Sequence, residues 1–120
     1  MAKIQSLTDV VDWQTLWERA RPDGAERYLI FKLSPICPTS HTAERNFNTF
    51  VAALPEDPNL HIYSVDVIGA RPVSQHIAAD TGIQHESPQA LLIMGGQRIA
   101  WQASHGDINA AALKKHVIEK

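Results

Sequence analysis

The one cysteine of the chain, Cys37, has the side chain best suited to covalent chemistry. It begins the segment Cys37-Pro38-Thr39-Ser40, which follows a run of apolar residues and opens an amphipathic stretch. A thiol at the start of a helix lies near backbone N–H groups without helical partners, here those of Thr39 and Ser40, and near the positive end of the helix dipole. Both effects favour the thiolate, so we expect the pKa of Cys37 to lie below that of an ordinary cysteine.

The position of Cys37 alone leaves two interpretations open. Free cysteines are among the most buried residues and often serve only as small apolar side chains. A residue at a strand-to-helix junction is usually accessible, which favours a reactive thiol. His41, one helical turn further on, is better explained as a solvated helix residue than as a general base. Ser40 could hydrogen-bond the sulfur, although a serine in the first helical turn more often caps the backbone locally.

A second segment of interest is His85-Glu86-Ser87-Pro88-Gln89, directly before an apolar run. Proline is tolerated at the first residue of a strand because its missing N–H need not take part in the hydrogen bonds of the sheet. Ser87-Pro88 could therefore simply mark the end of a loop before a strand. A cis bond between Ser87 and Pro88 is the alternative, which composition cannot establish.

Composition excludes several classes of function. Eleven Lys and Arg residues stand against thirteen Asp and Glu without charged blocks, so we expect no nucleic-acid or membrane binding. One cysteine rules out an intrachain disulfide, and the six histidines lack a tight ligand spacing, so no metal site is expected. The first residues lack the apolar stretch of a signal peptide, which favours a cytoplasmic protein. The 120 residues suit a single domain spanning 1–120, with a monomer as the default expectation.

The apolar pattern predicts the element order α, β, α, β, α, β, β, α. The predicted helices lie at about Thr8–Ala20, Pro38–Leu54 and Pro72–Asp80 and after Asp107, and the predicted strands at Tyr28–Leu33, His61–Val67, Gln89–Met94 and Gln97–Ala103. The β-α-β units predict parallel strands, and Gly95-Gly96 predicts a two-residue hairpin link with an antiparallel edge. In the last helix one face should carry Ile108, Ala111, Ala112 and Ile118. We therefore expect an α/β fold with a four-stranded mixed sheet flanked by about four helices.

This element order, with a Cys-x-x-Ser motif at the second helix and a Ser-Pro pair before a hairpin, resembles the thioredoxin-like fold. More closely, Cys37-Pro38-Thr39-Ser40 together with His85-Glu86-Ser87-Pro88-Gln89 resembles the monothiol bacilliredoxins, the YtxJ-type proteins of bacteria that use bacillithiol. The resemblance runs from about Leu7 to Val117. Thr39 stands where the family usually has isoleucine, a departure that bears on substrate preference and leaves the thiol chemistry unchanged.

The resemblance implies that Cys37 is the nucleophile of a monothiol thiol-disulfide oxidoreductase. Such an enzyme removes a low-molecular-weight thiol, here bacillithiol, from protein mixed disulfides. Ser40 then stands where dithiol relatives place a resolving cysteine, and Pro88 is a cis-proline facing the thiol. The implied partners are bacillithiolated proteins and the small thiol, which acts as a co-substrate, and no cofactor is tightly bound. We expect Pro38, Thr39, Ser40, Ser87 and Pro88 to bind the thiol and the substrate, the Ser87 backbone offering an edge for an extended segment.

Two other functions stay open at this point. A non-catalytic thioredoxin-like module would hold a partner protein in the same groove, with an incidental cysteine, and would not need an accessible thiol of low pKa. An iron–sulfur cluster-sharing role, as in monothiol glutaredoxins, is the third. That family usually has glycine after its cysteine, whereas this chain has Pro38.

Overall fold

The computed structural model describes residues 3–36, 38–55 and 57–119, apart from the side chains of Thr39 and Glu119. The elements in chain order are β1 (Ile4–Ser6), α1 (Val10–Arg19), β2 (Arg27–Leu33), α2 (Pro38–Ala53), β3 (Leu60–Asp66), α3 (Arg71–Thr81), β4 (Gln89–Met94), β5 (Arg98–Ser104), a 3₁₀ turn (His105–Asp107) and α4 (Ala110–Leu113), which continues as a wider π-type turn over Lys114–Glu119. Among the described helices, none has the length and apolar character that crossing a bilayer needs.

The sheet has the order β1-β3-β2-β4-β5, so β2 lies at its centre. Strands β1, β3 and β2 are parallel, whereas β4 and β5 run antiparallel to their neighbours. The predicted α/β class and mixed sheet are confirmed, but the predicted count of four strands is wrong because β1 adds a fifth. All three residues of β1 are exposed, so this short edge strand has no alternating apolar pattern to reveal it.

Helices cover both faces of the sheet and create two apolar clusters. On the α2 side, the rings of Phe31 and Phe47 stack with their centroids 4.4 Å apart. On the α1 and α3 side, Trp13 is fully buried and its indole Nε1 donates a hydrogen bond of 2.8 Å to Asp80 Oδ2. Because both faces of β2 are packed, this strand lies at the centre of the core.

The hairpin between β4 and β5 has a three-residue link, Gly95-Gly96-Gln97, in place of the predicted two-residue one. Gly96 and Gln97 both have positive φ. Their amides donate hydrogen bonds of 3.0 Å to Pro22 O and 2.8 Å to Ala20 O. The tip of the hairpin therefore follows the loop after α1, a contact that local turn chemistry could not reveal.

The face predicted for the last helix is correct for Ile108 and wrong for Ala111 and Ile118. The helix is capped by Asn109, whose side chain accepts a hydrogen bond from the Ala112 amide. The residues buried in this region are Ile108, Leu113 and Val117, whereas Ala111 and Ile118 are exposed. The later start of the helix and the wider turn after Leu113 rotate its buried face away from the predicted one.

Candidate functional site

The segment between β2 and α2 lies at the edge of the sheet where the parallel strands end. Leu33, the last residue of β2, is paired in register with Asp66, the last residue of β3. Ligands of open α/β sheets commonly bind beyond the C-terminal ends of such strands. Ile36 is 79% exposed and Pro38 begins α2, while Cys37 and the side chain of Thr39 lie outside the described residues. The roles expected of Cys37 and Thr39 therefore stay predictions.

Ser40 is fully buried in the first turn of α2. Its hydroxyl oxygen accepts a hydrogen bond of 3.0 Å from the backbone N–H of Ser34. Ser34 is also buried, so without Ser40 its amide would lose this partner. Ser40 thus fixes the loop that carries the cysteine against the helix that follows it.

The structure brings Ser40 together with the Ser87-Pro88 segment. Ser40 Oγ and Ser87 Oγ lie 3.5 Å apart, and the peptide bond between Ser87 and Pro88 is cis. Pro88 is buried, and its carbonyl oxygen accepts a hydrogen bond of 3.0 Å from the His105 amide. The two motifs on which the family resemblance rests therefore meet in one place.

Two cavities flank the segment between β2 and α2. One has a volume of about 360 Å³ and is lined by Pro38, Thr42, Ala43, Asn46, His105, Gly106 and Ile108. The other, of about 380 Å³, is lined by Ser6, Leu7, Thr8, Leu33, Pro35, Ser64, Asp66, Gly69 and Ala70. Pro38, one of the predicted binding residues, thus borders a groove large enough to receive part of a substrate.

His41 contacts the loop through its ring. Its Nε2 lies 2.7 Å from the carbonyl oxygen of Pro35, which can only accept a hydrogen bond, so this nitrogen carries a hydrogen. The prediction of a purely solvated residue is therefore incomplete. His41 is exposed but helps Ser40 to hold the loop.

Lys32 is a residue that the sequence analysis missed. It is fully buried in β2, and its Nζ donates a hydrogen bond of 3.1 Å to Ser74 O and lies 3.4 Å from His85 Nδ1. Burial lowers the pKa of Lys32 from 10.5 to about 8. Burial, and then the charges of Lys32 and Arg71, lower the pKa of His85. The feature of the sequence that could have indicated its burial is that Lys32 is a single lysine within the otherwise apolar run Tyr28–Leu33.

A metal centre finds no support in the described part of the chain, where no three His, Cys, Asp or Glu side chains are grouped closely enough to hold an ion. The carboxylate of Glu86 is bound by other side chains. It accepts a hydrogen bond from Ser104 Oγ and contacts His105 Nε2, each at 3.2 Å. These contacts tie the start of β4 to the end of β5.

Comparison with known proteins identifies the family. The family model of the monothiol bacilliredoxin BrxC matches residues 5–113. A solved structure described as a candidate oxidoreductase with a thioredoxin fold has 28% identity and a TM-score of 0.76, with 95% of this chain and 93% of that chain covered. Two thioredoxins show the same fold at lower identity. NaTrxh from Nicotiana alata has 14% identity and a TM-score of 0.73, covering 98% of this chain and 92% of that one.

The second thioredoxin is mitochondrial thioredoxin 3 from Saccharomyces cerevisiae, with 18% identity and a TM-score of 0.67, covering 98% of this chain and 95% of that one. The predicted thioredoxin-like fold is thus confirmed, and family and fold together make this protein a thiol oxidoreductase. Since the family model spans nearly the whole sequence, the chain belongs to the monothiol bacilliredoxin family.

Proposed function

We propose that this protein removes bacillithiol from mixed disulfides on other proteins, with Cys37 as the nucleophile. The observation that carries the proposal is the 3.5 Å approach of Ser40 Oγ to Ser87 Oγ. It joins the helical turn that follows Cys37 to the segment before β4. A disulfide lying against the Ser87 backbone would therefore adjoin the start of α2. Cys37 directly precedes this helix in the sequence.

The proposed reaction is a pair of thiol-disulfide exchanges. In the first, the Cys37 thiolate attacks the bacillithiol sulfur of the mixed disulfide. A new disulfide forms between Cys37 and bacillithiol, the old disulfide breaks, and the protein leaves as a thiolate that takes a proton from water. In the second, the thiolate of an outside thiol attacks the bacillithiol sulfur on Cys37, which forms a small-molecule disulfide and restores the Cys37 thiolate.

The sequence has one cysteine, so no second thiol of the chain can release bacillithiol from Cys37. Ser40 stands three positions after Cys37 and has a hydroxyl, which cannot resolve the adduct. An outside thiol is therefore required as the reductant, and a reducing cytoplasm is the compartment that supplies one. Bacillithiol is a co-substrate in this scheme, and the chemistry needs no bound cofactor.

The surroundings of Cys37 supply substrate contacts in this proposal. Ile36, exposed directly before the cysteine, offers an apolar surface to the protein substrate. Pro38 and Thr39 follow the thiol, and the groove at Pro38 receives part of the substrate. Ser87 and Pro88 border the extended segment that carries the disulfide. The main-chain groups of such a segment can pair with an exposed strand edge.

A turnover assay tests the proposal. A protein carrying one bacillithiol is incubated with excess reducing thiol and a small amount of this protein, and mass spectrometry follows the loss of bacillithiol from the substrate. We expect wild type to accelerate the loss and Cys37→Ser, with an unchanged unfolding midpoint, to have no effect. A protein that binds the substrate tightly without accelerating the loss would be a binding module. Equal rates with a glutathionylated substrate would keep the reaction class and remove the preference for bacillithiol.

A further inference from the structure

The ammonium group of Lys32 has only neutral partners. Its Nζ bonds to the carbonyl oxygen of Ser74 and lies 3.4 Å from Nδ1 of His85. Within the described parts of the chain, no carboxylate contacts it. Buried charges are normally paired with an opposite charge, so an anion near Lys32 would lower the cost of burying its ammonium group.

The hydrogen-bond partners of His85 fix where its ring hydrogen lies. An ammonium can only donate, so Nδ1 accepts from Lys32, and the hydroxyl of Ser74 lies 3.0 Å from the same atom. A neutral imidazole then carries its hydrogen on Nε2. Burial and the charges of Lys32 and Arg71 lower the pKa of His85, which favours this neutral form near pH 7. His85 thus has an N–H group without a partner among the described residues.

A small cavity adjoins this cluster. It has a volume of about 140 Å³ and is lined by Val67, Ile68, Arg71, Ser74, Gln75 and His85. Arg71 is exposed at the start of α3 and forms no ion pair with the described residues. The cavity therefore has a guanidinium and an imidazole N–H in its lining and a buried ammonium behind Ser74 and His85.

The acidic groups near the cavity are already engaged. Glu86, whose charge acts on His85, accepts from Ser104 and contacts His105. The carboxylate of Asp66 accepts hydrogen bonds of 2.9 Å from the amides of Ile68 and Gly69 in the turn before α3. Neither acid neutralises Arg71 or Lys32 by direct contact, so the positive charge of the cavity stays available to a ligand.

We propose that this cavity binds a carboxylate of the disulfide substrate, with Arg71 and His85 as its direct partners and Lys32 as a buried positive charge behind them. A planar guanidinium matches a carboxylate in geometry and charge. The volume of about 140 Å³ is large enough for such a group. The inference rests on the proposed function, because His85 lies two residues before Ser87 in the same segment.

A pair of small-thiol donors tests the proposal by kinetics. One neutral peptide is joined by a disulfide to 3-mercaptopropionate, which carries a carboxylate, or to 2-mercaptoethanol, which carries a hydroxyl. Mass spectrometry measures the rate of transfer to Cys37. We expect Arg71→Ala to lower the wild-type preference for the carboxylate donor by about tenfold, as expected for one hydrogen bond to a charged group. Arg71→Lys should restore part of it. The control Arg45→Ala, which removes the same charge from an exposed position on α2, should keep the full preference.

A third donor identifies which side of the disulfide supplies the carboxylate. It combines a peptide carrying a glutamate beside its cysteine with 2-mercaptoethanol. An Arg71 effect on this donor alone assigns the carboxylate to the protein substrate, and an effect on the 3-mercaptopropionate donor alone assigns it to the small thiol. The proposal is overturned if Arg71→Ala lowers the rate of transfer equally for all donors, or if it lowers the rate for none of them.

A binding experiment separates this inference from the proposed function. Cys37→Ser protein is titrated with malate while nuclear magnetic resonance follows the His85 ring. We expect a saturable shift that Arg71→Ala removes, that Arg45→Ala keeps, and that malamide, which lacks both carboxylates, does not cause. If Cys37 accepts a thiol from no donor while malate still shifts His85, the proposed function fails and the cavity stands. If transfer occurs but neither malate nor a donor carboxylate has an effect, the cavity proposal fails alone.

Discussion

The hydroxyl oxygens of Ser40 and Ser87 lie 3.5 Å apart, although the two residues are 47 positions apart in the chain. The same Ser40 oxygen accepts the backbone hydrogen bond of Ser34. One buried hydroxyl therefore links the loop after β2, the first turn of α2 and the segment that leads into β4.

Ser40→Ala should destabilise the protein. It leaves the buried amide of Ser34 without its partner, and such a loss costs about 1–3 kcal/mol. Thr42→Ala is the matched control, because its hydroxyl is exposed on the same helix and lies 3.5 Å from Pro38 O. We expect the control to change the free energy of unfolding by no more than about 0.5 kcal/mol. Urea unfolding measures both, and equal losses would contradict the role assigned to Ser40.

Ser40→Cys should form a disulfide with Cys37 on oxidation. Residues three apart at a helix start are neighbours, and Cys-x-x-Cys pairs in this position can close. The introduced thiol should also release a captured small thiol without any outside reductant. Non-reducing peptide mapping and timed loss of the adduct measure the two effects.

Thr42→Cys is the control for that variant, since it adds a thiol to the exposed face of the same helix. It should form no intrachain disulfide and should still need an outside thiol. If the thiol introduced by Ser40→Cys stays reactive yet unpaired, residue 40 does not occupy the resolving position.

Lys32→Met should change how stability depends on pH. Burial lowers the pKa of Lys32 from 10.5 to about 8, so between these values the unfolded chain binds more protons at this residue than the folded chain does. Wild-type stability should therefore rise with pH across that window, by a total of about 3 kcal/mol from this residue. Urea unfolding at several pH values gives the difference in the free energy of unfolding between wild type and Lys32→Met. Both proteins have the same tyrosines, so the contribution of tyrosine titration cancels in this difference.

We expect the free energy of unfolding of wild type to rise relative to that of Lys32→Met as the pH rises. The exposed Lys115→Met variant controls for the chemical change itself. A difference that stays constant with pH would show that Lys32 is not desolvated in the folded protein.

The sequence predicted the parts of the fold that leave a local pattern. Pro38 marks the start of α2 because proline suits the first helical position, and the apolar run ending at Leu33 marks a buried strand. The strand β1 was missed because its three exposed residues have no such pattern. The length of the hairpin link depends on a packing contact with Ala20 and Pro22, which no local rule describes.

The candidate site was predictable in its motifs and not in its electrostatics. The segments at Cys37 and Ser87 were identified from their residues, and the structure brings Ser40 and Ser87 together. The contacts of Lys32 with Ser74 and His85 join β2, α3 and the loop before β4, so they exist only after the sheet and α3 have packed. A single lysine in an apolar strand indicates burial but does not indicate its partners.

The most direct test of the account is the mass of the chain after one round of reaction. The protein is mixed with a bacillithiolated protein in the absence of free thiol, and intact mass and peptide mapping follow. The account predicts one bacillithiol on Cys37, with the substrate released as a free thiol. A disulfide between Cys37 and the substrate protein itself, or an unmodified chain whose thiol is demonstrably reactive, would contradict the central claim.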